Sequence, residues 1–263
     1  MAPTPKLPNE LYLLRLDATL YGALMARNLF KSNVTWSSYP FLPPTGASGF
    51  LASLVEGERW IEGNDLQLQP RALHHLLGWE DVWALGAFPL LGQMFRKHFR
   101  AHLGSMYNYE ATLWSAGQNK GKKLAVVEEF WADDLIFLLV SPSQAKLETL
   151  QALVRGKVGP VAKKGCLAIA FGDSPTTSLQ AATSDGHEST IGLVPVEEVG
   201  QMPLNAQIYR VPVSSRLDGK TVTWQSANCL WTIKQAARFR GSVPIFRAAD
   251  QAISRRLVEW ASQ

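Results

Sequence analysis

The sequence predicts an α+β fold, a ferredoxin-like sheet of the RRM type with helices on one face, in the order β-α-β-β-α-β. Three observations carry this. Strand-like apolar runs stand at Leu11–Leu24, Lys123–Trp131, Leu135–Val140 and Gly165–Gly172, and helical patterns stand at Thr45–Glu56 and Ser141–Gly156. A third is that the long stretch 59–123 can be set aside as an insertion without disturbing the order.

Residues 1–10, "MAPTPKLPNE", read as a flexible, proline-stiffened arm without the apolar core of a signal peptide. "LYLLRLDATLYGAL" then gives the first strand. The segment Asn33–Gly57, "NVTWSSYPFLPPTGASGFLASLVEG", runs an aromatic strand-like stretch into two prolines and a helix. Pro43 and Pro44 fix φ at about −65° and disfavour helix in the residue before each, so the chain stays extended up to Pro44. Thr45 is the expected N-cap and Gly57 the expected C′ stop. Ala47, Phe50, Leu51, Leu54 and Val55 form the core-facing stripe. Gly46, Gly49 and Ser53 form a smooth strip, and each helical glycine costs up to about 1 kcal/mol relative to alanine. Another backbone can approach that strip, from a partner or from the chain's own sheet.

The insertion holds two helix-like pieces, "PRALHHLLG" and "EDVWALG", a basic run "RKHFRAH" and the loop "SAGQNKGKK". Two strands flank "ADD", where Asp133 and Asp134 mark a hairpin turn. In the second helix Ser143 is the cap, Leu147, Leu150 and Val154 share a face, and Gly156 ends it. After Gly172 come a loop-like segment "DSPTTSLQAATSDGHEST", strands near Gln207–Val213 and Thr221–Ile233, and a basic C-terminal section. The domain reading is thus an arm (1–10), a ferredoxin-like domain (11–172, with the insertion at about 59–123) and a C-terminal extension of mixed β and short helix (173–263).

At 263 residues with 46% hydrophobic and 18% charged residues, the chain reads as an ordinary globular protein. Cys166 and Cys229 fit no disulfide framework or zinc motif, and no run is apolar enough to span a membrane, so a cytoplasmic location is expected. Nine tryptophans supply more ring faces than usual, and the net charge is +4 with a pI near 9.1. That charge is clustered: Arg96, Lys97 and Arg100; Lys120, Lys122 and Lys123; Lys163 and Lys164; and Lys234 to Arg247 with four positive residues and no acid. A single cluster is ordinarily a solvated face, but several interleaved with aromatics point to nucleic acid.

His98 and His102 share a face if their segment is helical, but Phe99 follows His98, so the glutamate base of a zinc protease is missing and arginines flank the pair. No Walker loop, G-x-S-x-G elbow or dinucleotide fingerprint occurs, and "GASG" lacks a phosphate-loop lysine. No metal site, cofactor or catalytic set is therefore assigned. A metal-independent ribonuclease needs only a His, Tyr or Lys placed by the fold, for which His98, His102, Tyr107, Tyr109 and Lys122 are available. A protein-interaction module unrelated to RNA is the other alternative.

The stretch "ARNLFKSNVTWSSYPFLPPTGASGFLASLVEG" resembles the opening of the fifth family of CRISPR-associated (Cas) proteins, of the RAMP superfamily. Tyr39, Pro40, Pro43, Pro44, Thr45, Gly49, Phe50 and Leu51 stand at the places of that family's aromatic–Pro–Pro turn and small-residue helix. "VEEFWADDLIFLLVSPSQAKLETLQALV" and "GPVAKKGCLAIAFG" are similar to its later strands and helix. The likeness spans residues 11–172 and fades in the insertion and the last third. It implies a non-catalytic subunit of a type I CRISPR effector complex (Cascade) that grips the 5′ handle of the crRNA. The implied partners are the large subunit and a backbone subunit, with target DNA met indirectly through the complex. A β-hairpin thumb within 88–123 would bend the RNA. The handle contacts it implies are Arg27, Lys31, Arg96, Lys97, Arg100, Lys120, Lys122, Lys123, Lys163 and Lys164, with Trp36 and Tyr39 as stacking surfaces or core residues. One branch of the family cleaves precursor RNA with Tyr, Lys and His, and no such set maps onto this chain.

Overall fold

The computed structural model describes residues 7–24, 26–27, 35–36, 38–56, 81–89, 96–103, 124–131, 134–155, 166–204, 206–218, 221–231 and 237–263. Its spine is the long strand β1 (Glu10–Leu24). Leu14, Leu16 and Ala18 are buried while Arg15 and Asp17 are exposed, the alternation of a half-buried strand. Helix α1 (Pro44–Glu56) and strand β2 (Trp83–Pro89) follow. Then come β3 (Arg96–Leu103), β4 (Leu124–Trp131), β5 (Asp134–Ser141), α2 (Gln144–Val154) and β6 (Cys166–Phe171).

Strands β6, β1, β5 and β2 lie side by side in that order, every neighbour antiparallel. With α1 and α2 in the crossovers, this is the ferredoxin-like arrangement. The helices pack through the residues the periodicity selects. Ala47, Leu51 and Leu54 of α1 and Leu147, Leu150 and Val154 of α2 are all buried. Phe50 meets Phe137 of β5, which meets Phe171 of β6, with ring centroids 5.6 and 5.7 Å apart.

Four sequence expectations change. "EDVWALG" is read as helix-like, yet Trp83–Pro89 is a strand, the second of the ferredoxin-like order. All seven of its residues are buried, so the alternation that marks a half-exposed strand is absent. Lys123–Trp131 is not that second strand: β4 pairs instead with β3 and meets β1 at Ala23 and Leu24. Since β5, like β4, runs antiparallel along β1, the two strands around "ADD" do not form the expected hairpin. Thr45 is not the N-cap, because the helix already starts at Pro44 and the Pro43 carbonyl accepts from the Ala47 N–H at 2.8 Å. Proline suits that first helical position, where its missing N–H has no partner to lose. The expected stops Gly57 and Gly156, and the piece "PRALHHLLG", lie outside the described residues.

The stretch after Gly172 extends the same sheet. The segment read as a loop contains β7 (Thr176–Thr183), which pairs with Glu10–Leu14 of β1 on the edge where β6 pairs with Ala18–Gly22. Its residues are mostly polar and exposed, with Leu179 alone fully buried, so its sequence hides its pairing. Next come β8 (Gln207–Asp218) and β9 (Thr221–Trp231), a long hairpin whose root is joined by Val194–Pro195. Strands β10 (Pro244–Ala248) and β11 (Gln251–Ser254) continue the main sheet from β7. Ser189–Thr190, Arg238–Phe239 and Val199–Gln201 complete its curl. Helix α3 (Arg255–Ala261) closes the chain, capped by the Ser254 hydroxyl, which accepts from the Leu257 N–H at 3.0 Å.

One glycine is required by this packing. The register of β2 on β5 shifts between Ala84 and Gly86, and Gly86 has φ +137°. A Cβ there would lie 2.5 Å from the Phe88 ring and 3.0 Å from the Leu42 carbonyl, whose chain bridges to Ala87. Gly86→Ala is therefore expected to destabilise the fold by about 2–3 kcal/mol, measured by urea unfolding at unchanged slope.

Candidate nucleic-acid interface

The aromatic–proline segment joins the first sheet to the C-terminal hairpin. Phe41 is fully buried and meets Tyr39, Phe88, Tyr209 and Trp231 at centroid distances of 5.5, 5.6, 5.3 and 5.2 Å. Leu42 and Ala87 exchange backbone hydrogen bonds of 2.9 Å each, which ties the segment to β2. Tyr39 has no exposed surface, and its hydroxyl donates to the Arg210 carbonyl of β8. Burial raises its phenol well above the ordinary tyrosine range, so it stays a neutral donor. Tyr39 is thus a core residue and offers no face to a base.

The other expected contacts divide by what the strands bring together. Ala26–Arg27 pairs with Ser38–Tyr39, with Arg27 opposite Ser38. Thr35–Trp36 pairs with β4, with Trp36 opposite Val127. On the other edge of β4, Arg100 of β3 is also opposite Val127. Trp36 and Arg100 therefore occupy one rung, two strand spacings or about 10 Å apart. Arg96 stands at a register position of the same parity as Arg100, and Lys97 at the alternate one. Trp36, Arg96, Lys97 and Arg100 thus converge on the strands that pair with β4, while Arg27 stands on a separate two-stranded pair beside them; only their backbone positions are described. Lys31, Lys120, Lys122, Lys123, Lys163 and Lys164 lie outside the described residues.

The register also shows what the linear clusters conceal. Glu129 stands opposite His98 and Glu128 opposite Phe99, so each parity of the basic hairpin carries one acid. His98 and His102 sit on a strand, about 13 Å apart along it, too far to bind one ion together. Among the described residues no group of three or more His, Cys, Asp or Glu is placed to hold a metal. No helix among them is long and apolar enough to cross a membrane.

The small-residue strip of α1 resolves into two cases. A Cβ on Gly46 would meet the Pro43 ring at 3.2 Å, so that glycine serves the entry turn. A Cβ on Gly49 would meet nothing within 4 Å among the described residues, so packing within that part of the chain does not demand it.

Sequence reasoning missed the buried charges of the C-terminal strands. Glu188 is only 3% exposed; it accepts from the Ser184 hydroxyl at 2.7 Å and pairs with Arg247 at 2.9 Å. Burial pushes its carboxyl up, but hydrogen bonds from Ser184, the backbone and Arg247 outweigh this and bring it down to about 2. Arg247, counted in the acid-free basic run, is therefore paired with an acid from outside it. Glu198 is buried beside Ser254 and Arg256, one of its oxygens has no partner among the described residues, and burial raises its pKa. Cys229 is buried and its thiol is pushed up to about 12 by desolvation, which makes it unreactive. Glu188 lies in a Ser/Thr-rich stretch without Lys or Arg, so nothing near it in the sequence signals its pairing with Arg247.

No family model and no curated protein matches the sequence. Among solved structures the chain is similar to one from a cryo-EM structure of the type III-B Cmr-beta bound to cognate target RNA and AMPPnP. The identity is 9% and the TM-score 0.37, over 86% of each chain. A likeness at that level says nothing about function.

Two outcomes are expected. Gly49→Ala should stabilise the isolated protein by about 0.5–1 kcal/mol in chemical denaturation, since it removes backbone entropy without a described clash. The lowered Glu188 pKa contributes stability that is present above the ordinary carboxylate value of 4.5 and is lost as pH falls from there towards about 2. Arg247→Met should cost about 1–2 kcal/mol at neutral pH and move the acid-unfolding midpoint to higher pH, read by circular dichroism during acid titration.

Proposed function

We propose that this chain is an RNA-binding, non-catalytic subunit of a CRISPR effector complex. The observation that carries the reading is the convergence of Trp36, Arg96, Lys97 and Arg100 on the strands that pair with β4, beside a ferredoxin-like sheet. Single-stranded RNA is held by cations on its phosphates and by planar groups on its splayed bases, and this sheet supplies both residue types at adjacent register positions. The hairpin β3–β4 enters between the second and third ferredoxin-like strands; its first strand falls within the 88–123 expected for the thumb, and its second, Leu124–Trp131, lies beyond it.

The finer assignment is to a type I complex (Cascade). There the subunit grips the 5′ handle of the crRNA, packs against the large and backbone subunits, and meets target DNA through the assembly. The same sequence resemblance supports it: the aromatic–Pro–Pro entry and the helix that opens with glycines. Within this reading the open side of Gly49 is a place for a neighbouring backbone. A soluble cytoplasmic particle without cofactor or metal is its setting.

The experiment is RNA binding by the purified chain across a salt series, with repeat-derived RNA as the probe. Affinity should fall linearly in log–log form, and replacing Arg96, Lys97 and Arg100 together with alanine should flatten the slope by about 2. Binding that does not weaken with salt would overturn the phosphate-dominated contact. A specific cut of that RNA in the presence of EDTA would overturn the non-catalytic assignment in favour of a metal-independent endoribonuclease.

A further inference from the structure

The positive charge of the molecule is not where the first helix and thumb would place it. From Val199 to Ala249 there are seven basic residues (Arg210, Arg216, Lys220, Lys234, Arg238, Arg240, Arg247) and one acid, Asp218. That stretch carries a formal charge of +6, so with +4 overall the rest of the chain carries −2. The hairpin β3–β4 has Glu128 and Glu129 in its own register, whereas the ribbon β8–β9 has Asp218 alone; of the seven bases, Arg247 is already paired with Glu188.

The same stretch holds the ribbon β8–β9, whose strands are 12 and 11 residues long. Val194–Pro195 pairs with it only at Leu230 and Cys229, so towards the turn the ribbon has no third strand among the described residues. Its root is firmly held: Val211, Val213, Cys229 and Trp231 are buried in the main core. A two-stranded ribbon is marginal alone, so a long one rooted in this way is built to reach something. Part-way along it Trp224 is 43% exposed, opposite Ser215 and flanked by exposed Thr223 and Gln225. Beside the root, Arg238 and Arg240 are exposed on either side of buried Phe239, and neither has an ion pair among the described residues. Phe239 shares the second core cluster with Leu230 of β9, which places those arginines next to the ribbon's base.

We propose that this ribbon is a second contact for single-stranded RNA, in which Trp224 stacks on a base and Arg238 and Arg240 neutralise phosphates at its root. The inference rests on the RNA-binding reading above and adds a surface to it. A protein partner would favour a site depleted of charge at its centre, whereas a stretch with one acid among seven bases favours a polyanion. An isolated exposed indole on such a stretch fits base stacking, which needs a ring face and no particular sequence.

The test is fluorescence anisotropy of the full chain with fluorescein-labelled oligouridylate, read across salt, with oligodeoxythymidylate as the second probe. Trp224→Ala should weaken RNA binding about 5- to 100-fold, and Trp224→Phe should restore most of it. Arg238→Ala with Arg240→Ala should flatten the salt slope by about 1.4. Photo-crosslinking of unmodified protein to 4-thiouridine RNA should yield adducts on peptides of the ribbon, which needs no variant to fold. Wild-type RNA affinity in these variants, with crosslinks elsewhere, overturns the ribbon contact and leaves the RNA-binding reading intact. Preference for the deoxy probe, or loss of protein association without loss of RNA affinity, also overturns it. Failure of the wild-type chain to bind RNA at low salt overturns both.

Discussion

The structure depends on β1 being paired along both edges. On one side it takes β5 and then the end of β4; on the other it takes β7 and then β6. Between the last two the Gly172 N–H donates to the Asp17 carbonyl at 3.0 Å, so the edge stays satisfied across the gap. A strand paired on both sides, with Leu14, Leu16 and Ala18 buried and Arg15 and Asp17 exposed between them, cannot slip by one residue without burying those charges. The register of the ferredoxin-like core, the hairpin β3–β4 and the C-terminal strands is therefore set by one element.

The second constraint is the aromatic junction. Phe41 lies where β2 and the β8–β9 root come together, and the Tyr39 hydroxyl donates to the Arg210 carbonyl of β8. The two prolines after it hold the chain extended until the helix begins, so the ring is delivered to the junction by a stiff segment. This explains why the stretch is aromatic and proline-rich without calling on a ligand. It also separates Tyr39, spent on packing, from Trp36, whose backbone pairs with β4.

Legibility from sequence followed the environment of each segment. The stripes of α1 and α2 were readable because their buried residues recur at helical spacing, and Leu11–Leu24 and Leu135–Val140 were readable as strands from their apolar runs. Trp83–Pro89 was not, since burial on all sides erases periodicity. Thr176–Thr183 was not, since a polar edge strand looks like a loop until its partner is known. For the interface, linear charge clusters located Arg96, Lys97 and Arg100 but could not show Glu128 and Glu129 opposite the same strand. Nor could they show that Arg247 is already engaged by a buried glutamate.

Under the proposed RNA-binding function, these points bear on how a modest net charge can serve a polyanion. β4 leaves β1 at Ala23, and β7 joins it at Glu10–Leu14, so the hairpin and the C-terminal strands depart from places about 30 Å apart along one rigid strand. Two weak contacts at a fixed spacing act on one flexible RNA as a single stronger site, because engaging the first raises the local concentration of RNA at the second. Neither contact then has to be strongly basic, which leaves carboxylates such as Glu128, Glu129 and Glu188 compatible with binding. The rigid β1 spacer, more than the total charge, would set which RNA geometries can engage both ends.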